Sequence, residues 1–373
     1  MKIQYQKLYG IIFFFLIFLF SVFFCFFKKE TFSENENRVL EKSPKFTISN
    51  VLDGSFMKSF ETYSSDHFPF RNFFLGLKTK MEKELGKEVI NNVYYGKDGY
   101  LLEKYQKPTH SDQIVESLNE FYQNLNYVNM TLMLVPTSIV VNEEKLPSHA
   151  PTYSQVEEMK KIYDQIKFDT IDLTETLKKG NLDYPMFYHL DHHWTSYGAY
   201  YAYLAYCNSL GITPIDITQF EIKEVSNQFR GTLYSKVLDS SLKPDSIHMF
   251  QKENTSYQVY YVKEDILKTS LYEESYLKKK DQYSYFLDNN HPLIEITNNN
   301  LKNGKELLVL KDSFANSIVP FLVEHYEKVH VIDPRFYKDD IIEYVKEHKN
   351  LKDVLILYNM NTIDTDLGIR TIN

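Results

Sequence analysis

The residues best suited to chemistry lie in one short segment, where Asp191, His192 and His193 follow one another directly before Trp194. An acid and an imidazole two residues apart meet when the backbone turns tightly. The Asp191 carboxylate then accepts a hydrogen bond from one ring nitrogen of His193, and the other ring nitrogen faces the substrate. A helix expected to begin near Thr195 would fix that turn. The segment predicts a general base and the acid that orients it.

A candidate nucleophile, Ser313, lies in Lys311-Asp312-Ser313-Phe314, where a strand is expected to give way to a helix. In parallel α/β sheets, sites form beyond the carboxyl ends of the strands. A hydroxyl there lies beside the unpaired amides of a helix N-terminus, which stabilise the oxyanion of a tetrahedral intermediate. It becomes a good nucleophile once a neighbouring imidazole takes its proton.

Each segment also has a plainer interpretation. Asp-Ser before a helix is commonly only a cap, and Trp194 is more often a core residue than a binding platform. His189, Asp191 and His193 alternate in a way that would chelate zinc in an extended segment, although no second cluster with ligand spacing occurs. The two segments together favour catalysis over a cap or a metal site. We therefore predict neither a metal nor a cofactor.

Hydrophobic patterning predicts an α/β arrangement around both segments. Strand 306–310, helix 315–326 and strand 329–332 form a βαβ crossover of the usual length. Residues 92–102 carry a hairpin signal. Residues from about 215 to 300 are polar and irregular, with one strand candidate at 256–262. The remaining predicted elements are strands at 130–135, 168–173 and 354–358 and helices at 51–63, 73–85, 155–166, 196–210 and 338–347.

The N-terminus predicts a membrane anchor. Ile11 to Phe27 form an apolar run of 17 residues, interrupted only by Ser21. At about 1.5 Å rise per residue, this is the short end of what spans a bilayer. No small-x-small cleavage site follows, so we expect an uncleaved signal anchor. Two lysines on each side leave its orientation open: Lys2, Lys7, Lys28 and Lys29.

Composition narrows the class of protein. Of the 373 residues, 43% are hydrophobic and 25% charged, as in an ordinary globular protein. The formal net charge of -8 and the lack of a long basic run argue against a nucleic-acid partner. The 30 tyrosines and 27 phenylalanines fit sugar binding, although compositional bias explains much of that number. One of the two cysteines, Cys25, lies in the apolar run, so no intradomain disulfide is expected.

Asp-His-His-Trp at 191–194, followed far downstream by a strand and Lys-Asp-Ser-Phe at 311–314, resembles the DHHW family. That family is related to the alginate O-acetyltransferases, whose catalytic domains resemble circularly permuted SGNH hydrolases. The resemblance covers roughly residues 34–360. Lys311 stands where SGNH enzymes have glycine, and no glycine block is evident, so the oxyanion hole is unassigned. Further matching segments are Asn37-Arg38, Asp66 to Arg71, Val135-Pro136-Thr137, Phe229 to Ser235 and Ile332 to Arg335.

The resemblance implies a catalytic triad of Ser313, His193 and Asp191, because the related enzymes carry Asp-x-His. It matches Arg335 to an arginine that orients the acetyl group, and it suggests Tyr358 and Asn359 as weaker substrate or oxyanion contacts. The implied fold is α/β, a circularly permuted three-layer SGNH-hydrolase-like sandwich behind an N-terminal transmembrane helix. The implied organisation is an anchor at 1–29, a juxtamembrane and helical lead-in at 30–90, and a catalytic domain at 91–373 with an inserted region at about 213–300.

The function implied is an extracytoplasmic O-acetyltransferase, single-pass in the cell membrane, that modifies a cell-surface or secreted polysaccharide through an acetyl-enzyme. Its expected acetyl donor is a multispanning membrane O-acyltransferase of the MBOAT type. Two alternatives stay open. A polysaccharide acetylesterase shares the acyl-enzyme step and differs only in its acceptor. A non-catalytic polysaccharide-binding or assembly protein would use its aromatic surface instead.

Overall fold

The computed structural model describes residues 2–33, 36, 38–148 and 150–372. Asn37, part of one segment of the family resemblance, lies outside these residues. The chain divides into two compact units. The first comprises Met1–Lys87 and Ser235–Ser241, and the second comprises Glu88–Tyr234 and Leu242–Asn373.

The helices are numbered in chain order: α1 Lys2–Phe26, α2 Ile48–Leu52, α3 Ser55–Asp66, α4 Arg71–Glu84, α5 Ser111–Asn124, α6 Ser138–Val141, α7 Gln155–Tyr163, α8 Thr174–Gly180, α9 Ser196–Ser209, α10 Thr232–Val237, α11 Val319–Leu322, α12 Ile341–Glu347, α13 Met360–Thr365 and α14 Leu367–Arg370. The strands are β1 Phe32–Ser33, β2 Arg38–Val39, β3 Val89–Ile90, β4 Val93–Tyr95, β5 Leu101–Glu103, β6 Asn129–Val135, β7 Asp169–Asp172, β8 Phe220–Phe229, β9 Asp245–Lys252, β10 Tyr257–Tyr261, β11 Ile266–Lys268, β12 Leu293–Asn298, β13 Glu306–Lys311, β14 Lys328–Ile332 and β15 Leu351–Asn359.

The second unit is built on an eight-stranded mixed sheet with strand order β11-β10-β12-β14-β13-β15-β6-β7. The strands from β14 to β7 run parallel to their neighbours, and β12, β10 and β11 continue the sheet in antiparallel fashion. Leu307 to Leu310 of β13 are buried on both faces, as the continuous apolar run of a central parallel strand requires. Helices α9 and α11 pack on one face and α5, α7 and α12 on the other, which gives a mixed α/β fold.

The predicted crossover is present, but its helix differs from the prediction. β13 and β14 are parallel neighbours, paired from Glu306↔Lys328 to Leu310↔Ile332. Between them, the expected helix over 315–326 is replaced by a 3₁₀ segment, Ser313–Ser317, and the single turn of α11. Pro320 explains the interruption, because proline lacks the amide that a continuous helix would use at that position.

Two further stretches differ from the prediction. Gly54, at φ 80°, separates α2 from α3, where the pattern predicted one helix over 51–63. In the stretch expected to be irregular, β10 lies within the single strand candidate, and β12 pairs with β14 in the main sheet. Within the same stretch, β8 and β9 form a separate antiparallel pair. The small β3-β4-β5 sheet accounts for the hairpin signal.

In the first unit, one matching segment of the resemblance has a clear structural role. Arg38 donates from Nη1 to Asp66 Oδ2 at 3.0 Å, and the same oxygen accepts from the Glu41 amide at 2.8 Å. Arg71 pairs with Glu36 through Nη2 and Oε1 at 3.1 Å. These contacts tie Glu36, Arg38 and Glu41 to the turn between α3 and α4. Among the described residues, α1 alone is long and apolar enough to cross a membrane, over Lys7–Phe26, with mean hydropathy 2.7.

Candidate active site

Asp191, His193 and Ser313 form a continuous hydrogen-bonded chain. A tight loop holds the first two, closed by the Thr195 amide, which donates to the Met186 carbonyl at 2.9 Å. Asp191 Oδ1 lies 2.6 Å from His193 Nδ1 and 2.9 Å from the His193 amide nitrogen. His193 Nε2 lies 2.8 Å from Ser313 Oγ. With Asp191 ionised, Nδ1 carries the ring proton and Nε2 accepts from the serine hydroxyl.

The second oxygen of Asp191 is held by Thr232, the first residue of α10. Asp191 Oδ2 accepts from the Thr232 amide at 2.7 Å and from Thr232 Oγ1 at 3.0 Å. Because the threonine proton is used there, His192 Nδ1, 2.5 Å from Thr232 Oγ1, is the donor in that pair. A Cβ at Gly231 would lie 2.1 Å from Asp191 Oδ2, so this approach requires glycine. In the sequence, the segment Phe229 to Ser235 was indicated only by its resemblance to the DHHW family.

Burial and neighbouring charges suit this pair to general-base chemistry. Burial lowers the pKa of His193 from 6.5 to about 4, His192 adds to the lowering, and Asp191 opposes it. His193 is therefore neutral at pH 7 and able to accept a proton. Burial works against ionisation of Asp191. The neighbouring imidazoles and the Thr232 amide nevertheless hold the pKa of its carboxyl below the usual range.

Trp194 joins the two chemical segments to each other. Its side chain is fully buried, and its Nε1 donates to the Phe314 carbonyl at 2.9 Å and to Ser317 Oγ at 2.8 Å. One indole nitrogen thus links the loop that carries His193 to the 3₁₀ segment that begins with Ser313. Trp194 is a core residue, and its polar edge sets the separation of base and nucleophile.

Tyr283 supports the His193 ring, and sequence reasoning missed it. The two rings are stacked, with centroids 3.7 Å apart and planes 7° apart. The Tyr283 hydroxyl lies 3.0 Å from Ser317 Oγ, the atom that Trp194 also contacts. His192 covers the other side, with its centroid 3.8 Å from that of His193. Nothing distinguishes Tyr283 in the sequence, because it is one of 30 tyrosines and lies in the stretch without clear patterning.

Asp312 and Lys311 fix the backbone that carries Ser313, and both are fully buried. Asp312 accepts from the Phe314 amide at 2.9 Å and from the Asn359 amide at 2.8 Å. Lys311 Nζ donates to two amide oxygens, of Asn290 and Asn316, at 2.6 Å each. Burial lowers the pKa of Lys311 to about 8, although Asp333, 3.6 Å away, opposes the shift.

The backbone amide of Ser313 is available for an oxyanion. Ser313 is partly exposed, and no hydrogen bond from its amide is formed to any described residue. In a tetrahedral intermediate, the oxyanion lies beside the nucleophile, within reach of the nucleophile's own amide. The 3₁₀ segment adds no row of free α-helical amides, because the predicted α-helix is absent there.

Arg335 lies at the end of β14 and is held by Asp333. Its Nε donates to Asp333 Oδ1 at 2.8 Å and its Nη2 to Asp333 Oδ2 at 2.6 Å. Its Nη1 makes no hydrogen bond to the described residues. The positive charge of Arg335 contributes to lowering the pKa of both His193 and Lys311, so it acts within electrostatic range of the site.

The structure does not bring the side chains of Tyr358 and Asn359 to the Ser313 hydroxyl. The Tyr358 hydroxyl is buried and donates to Asp366 Oδ2 at 2.8 Å. Asn359 Nδ2 donates to the Val135 carbonyl at 3.1 Å, and its Oδ1 accepts from the Asn361 amide. These side chains therefore stabilise the fold, and Asn359 supports the site through its backbone amide, which binds Asp312.

The zinc ligands considered from the sequence separate in the structure. His189 turns away and pairs with Asp245, with Nδ1 2.8 Å from Oδ1. The ligand atoms of Asp191, His192 and His193 do lie within 4.8 Å of one another. However, both ring nitrogens of His193 are engaged, by Asp191 and by Ser313. The nitrogen and oxygen atoms of His193, Asp191 and Ser313 are thus arranged for proton transfer along this chain of hydrogen bonds.

Comparisons with known proteins identify the family of this chain and structures of similar fold. The family model described as DHHW protein matches residues 87–332. A crystal structure of a DHHW family protein from Eubacterium siraeum is similar over 76% of this chain and 96% of its own, with 23% identity and TM-score 0.67.

Two structures of Bacillus cereus PatB1 are also similar. The one with a sulfonyl adduct matches 75% of this chain and 98% of its own, with 23% identity and TM-score 0.63. The other has 24% identity and TM-score 0.61, over 74% of this chain and 98% of its own. No curated protein matches the sequence. The family match spans well over half of the residues and includes the Asp191 segment, so the chain belongs to the DHHW family.

Proposed function

We propose that this chain is an extracytoplasmic O-acetyltransferase that acts on a cell-surface or secreted polysaccharide. Ser313 is the nucleophile, His193 the general base and Asp191 the residue that orients the imidazole and stabilises its protonated form. The observation that carries the proposal is the hydrogen-bonded chain from Asp191 Oδ1 through His193 to Ser313 Oγ, with distances of 2.6 and 2.8 Å. A binding protein has no need of a buried, neutral imidazole on a serine hydroxyl.

The first half-reaction forms the acetyl-enzyme. Ser313 Oγ attacks the acetyl carbonyl of the donor while its proton moves to His193 Nε2, and Asp191 stabilises the resulting imidazolium. The Ser313 amide and the charge of Arg335 stabilise the oxyanion. The tetrahedral intermediate collapses, the donor's leaving group takes the proton from His193, and the acetyl group stays on Ser313 as an ester.

The second half-reaction passes the acetyl group to a sugar hydroxyl. His193, neutral again, takes the hydroxyl proton as the sugar oxygen attacks the Ser313 ester. Collapse of the second intermediate releases the O-acetylated sugar and returns the proton to Ser313 Oγ. If water takes the place of the sugar, the same steps describe an acetylesterase. Family resemblance to acetyltransferases supports transfer, and it also suggests an MBOAT-type membrane protein as the source of acetyl groups.

The proposal includes the organisation expected from the sequence. Residues 1–29 form a single-pass anchor, 30–90 a helical lead-in and 91–373 the catalytic domain, of circularly permuted SGNH type with an insertion at about 213–300. The anchor is supported by the 20 apolar-rich residues Lys7–Phe26, which are unburied, and by the lysines at both ends. The parallel strands that end at the site support the SGNH-type assignment.

The test measures acetyl transfer and hydrolysis together. The detergent-solubilised full chain is given an activated acetyl ester, with and without an oligosaccharide acceptor, and free acetate and acetylated sugar are quantified. We expect acetylated sugar to form at the expense of acetate, and Ser313→Ala to lose both products. Ser209→Ala, at the distant end of α9, is the matched control and keeps wild-type rates. Acetate alone at every acceptor concentration would identify an esterase, and equal rates in Ser313→Ala would refute the triad.

A further inference from the structure

The first unit exposes an unusual amount of apolar surface outside α1. Thirteen large hydrophobic side chains in residues 46–85 are exposed, against nine in the whole of the described residues from 88 to 372. In α3 and α4, only Asp66 and Thr79 are buried, so the apolar side chains of these helices form no core of their own. Exposed apolar surface at this density marks a site of interaction with a membrane or with another protein.

The exposed side chains of α4 form one stripe. Phe73, Leu77, Met81 and Leu85 follow one another at intervals of four residues, and each is exposed. At 100° per residue they share one side of the helix, and we name this set the α4 stripe. The opposite side holds the buried Thr79.

Two features of α4 complete the pattern of an interfacial helix. Gly76, on the side away from the stripe, approaches the Leu238 carbonyl, so that side faces protein. Lys78 and Lys80 lie at the two edges of the stripe and are exposed. An apolar face flanked by lysines is typical of helices that lie in the membrane interface.

Aromatic contacts place the turn between α3 and α4 against the C-terminal part of α1. The ring of Phe20 lies 5.4 Å from that of Phe68 and 5.9 Å from that of Phe74, between centroids. Phe20 precedes Phe26, the end of the apolar span, by six residues, which is about 9 Å along a helix. Interfacial helices sink to a comparable depth of roughly 5–10 Å. The turn therefore lies at the level where headgroups give way to acyl chains.

We propose that the α4 stripe is embedded in the outer leaflet of the bilayer that α1 crosses, so that the protein is held by an anchor and an interfacial helix together. The proposal rests on the membrane anchoring of α1 proposed above. Two observations favour lipid as the occupant. The stripe continues into the unburied apolar surface of α1 through Phe74. Residues 28–87 also carry eleven basic and nine acidic side chains in a chain of net charge -8, which suits an anionic headgroup layer.

The test places single fluorescent labels on the full chain in liposomes of phosphatidylcholine and phosphatidylglycerol. In a Cys25→Ser background, the one remaining cysteine, Cys207, is buried and so shielded from the label. Leu77→Cys and Met81→Cys variants are labelled with an environment-sensitive fluorophore, and quenching by lipids brominated on the acyl chain is measured. Two positions are used so that a folding defect in one variant does not decide the result. We expect several-fold stronger quenching at both than at Asn72→Cys, an exposed position on the opposite side of α4.

A label at Ile17→Cys, within α1, separates this proposal from the anchor itself. Quenching at Ile17, Leu77 and Met81 but not at Asn72 supports the interfacial helix. Quenching at Ile17 alone overturns it, and would mean that the stripe faces water or awaits a protein partner, while the anchor stands. A label at Ile17 that escapes quenching shows instead that α1 is not inserted, which contradicts the proposed localisation.

Discussion

At the scale of single residues, the account depends on a neutral His193. A protonated imidazole cannot take the Ser313 proton, so activity falls as the pH falls through the pKa of His193. Because burial and His192 lower that pKa to about 4, we predict that kcat/KM for an acetyl ester stays level from pH 7 down to pH 5 and declines only near 4. Initial rates measured across this pH range give the pKa of His193 directly.

The same prediction has a matched pair of variants. His192→Gln removes one of the influences that lower the pKa of His193, so the acid limb should shift to higher pH while the plateau changes little. His193→Gln should lower the plateau by about 10²–10⁴-fold, the usual contribution of a general base. Equal losses of activity in the two variants would instead indicate a metal site, and a chelator should then abolish the wild-type activity as well.

Tyr283 offers a second test at this scale, as a positioning residue. Tyr283→Phe keeps the ring stacked 3.7 Å from His193 and removes only the hydroxyl that contacts Ser317, so kcat should stay within a few-fold. Tyr283→Leu removes the stacked ring and leaves the imidazole free to tilt, so kcat should fall while KM is unchanged. A stability measurement by thermal melting accompanies both. A fall in kcat that merely follows the melting temperature would assign Tyr283 to the core alone.

At the scale of elements, Trp194 connects the His193 loop to the 3₁₀ segment of Ser313. Trp194→Phe removes the buried donor to the Phe314 carbonyl and to Ser317, which should cost about 0.5–1.5 kcal/mol in the free energy of unfolding. Since the two segments then shift relative to each other, we predict a loss of kcat larger than the loss of stability alone would cause. Tyr206→Phe, which breaks the buried hydrogen bond to Tyr326, is the control: it should lower stability in urea but preserve kcat.

Much of the parallel sheet could be predicted, because buried parallel strands are continuous apolar runs. The predicted 130–135, 306–310 and 354–358 correspond to β6, β13 and β15. β10 lies within the strand candidate at 256–262, but β11 and β12 lie in a polar stretch where the pattern gives little signal. The predicted helix over 315–326 is interrupted at Pro320. The sequence also does not show towards which face of the sheet a strand side chain points, since neighbouring strand residues face opposite sides. Tyr358 was thus expected to contact substrate, while its hydroxyl binds Asp366 in the core.

The Asp191 segment could be recognised because its chemistry is local. A single residue, His192, separates Asp191 from His193, and the turn brings their side chains together. The contact to Ser313 spans 120 residues and could be expected only from the position of both segments at the ends of elements. Thr232 begins the short helix α10 and Tyr283 lies in a 3₁₀ turn, Gln282–Tyr285, and neither periodicity nor spacing indicates their partners.

At the scale of the whole molecule, location decides whether an extracellular polysaccharide can be the substrate. The anchor's flanking lysines leave orientation open, and the proposed function requires the chain beyond residue 30 to lie outside the cytoplasm. Protease added to intact protoplasts should therefore digest this part and leave a short membrane-bound fragment. Digestion that occurs only after lysis would reverse the topology and exclude the proposed substrate.

The central claim is that Ser313 carries the acetyl group between donor and acceptor. The most direct measurement is acid quenching of the full chain during turnover of an acetyl ester, followed by peptide mapping by mass spectrometry. We predict acetylation at Ser313, which disappears when acceptor is added and is not formed in His193→Gln. Acetylation of another residue, or full acetyl transfer by Ser313→Ala, would contradict it.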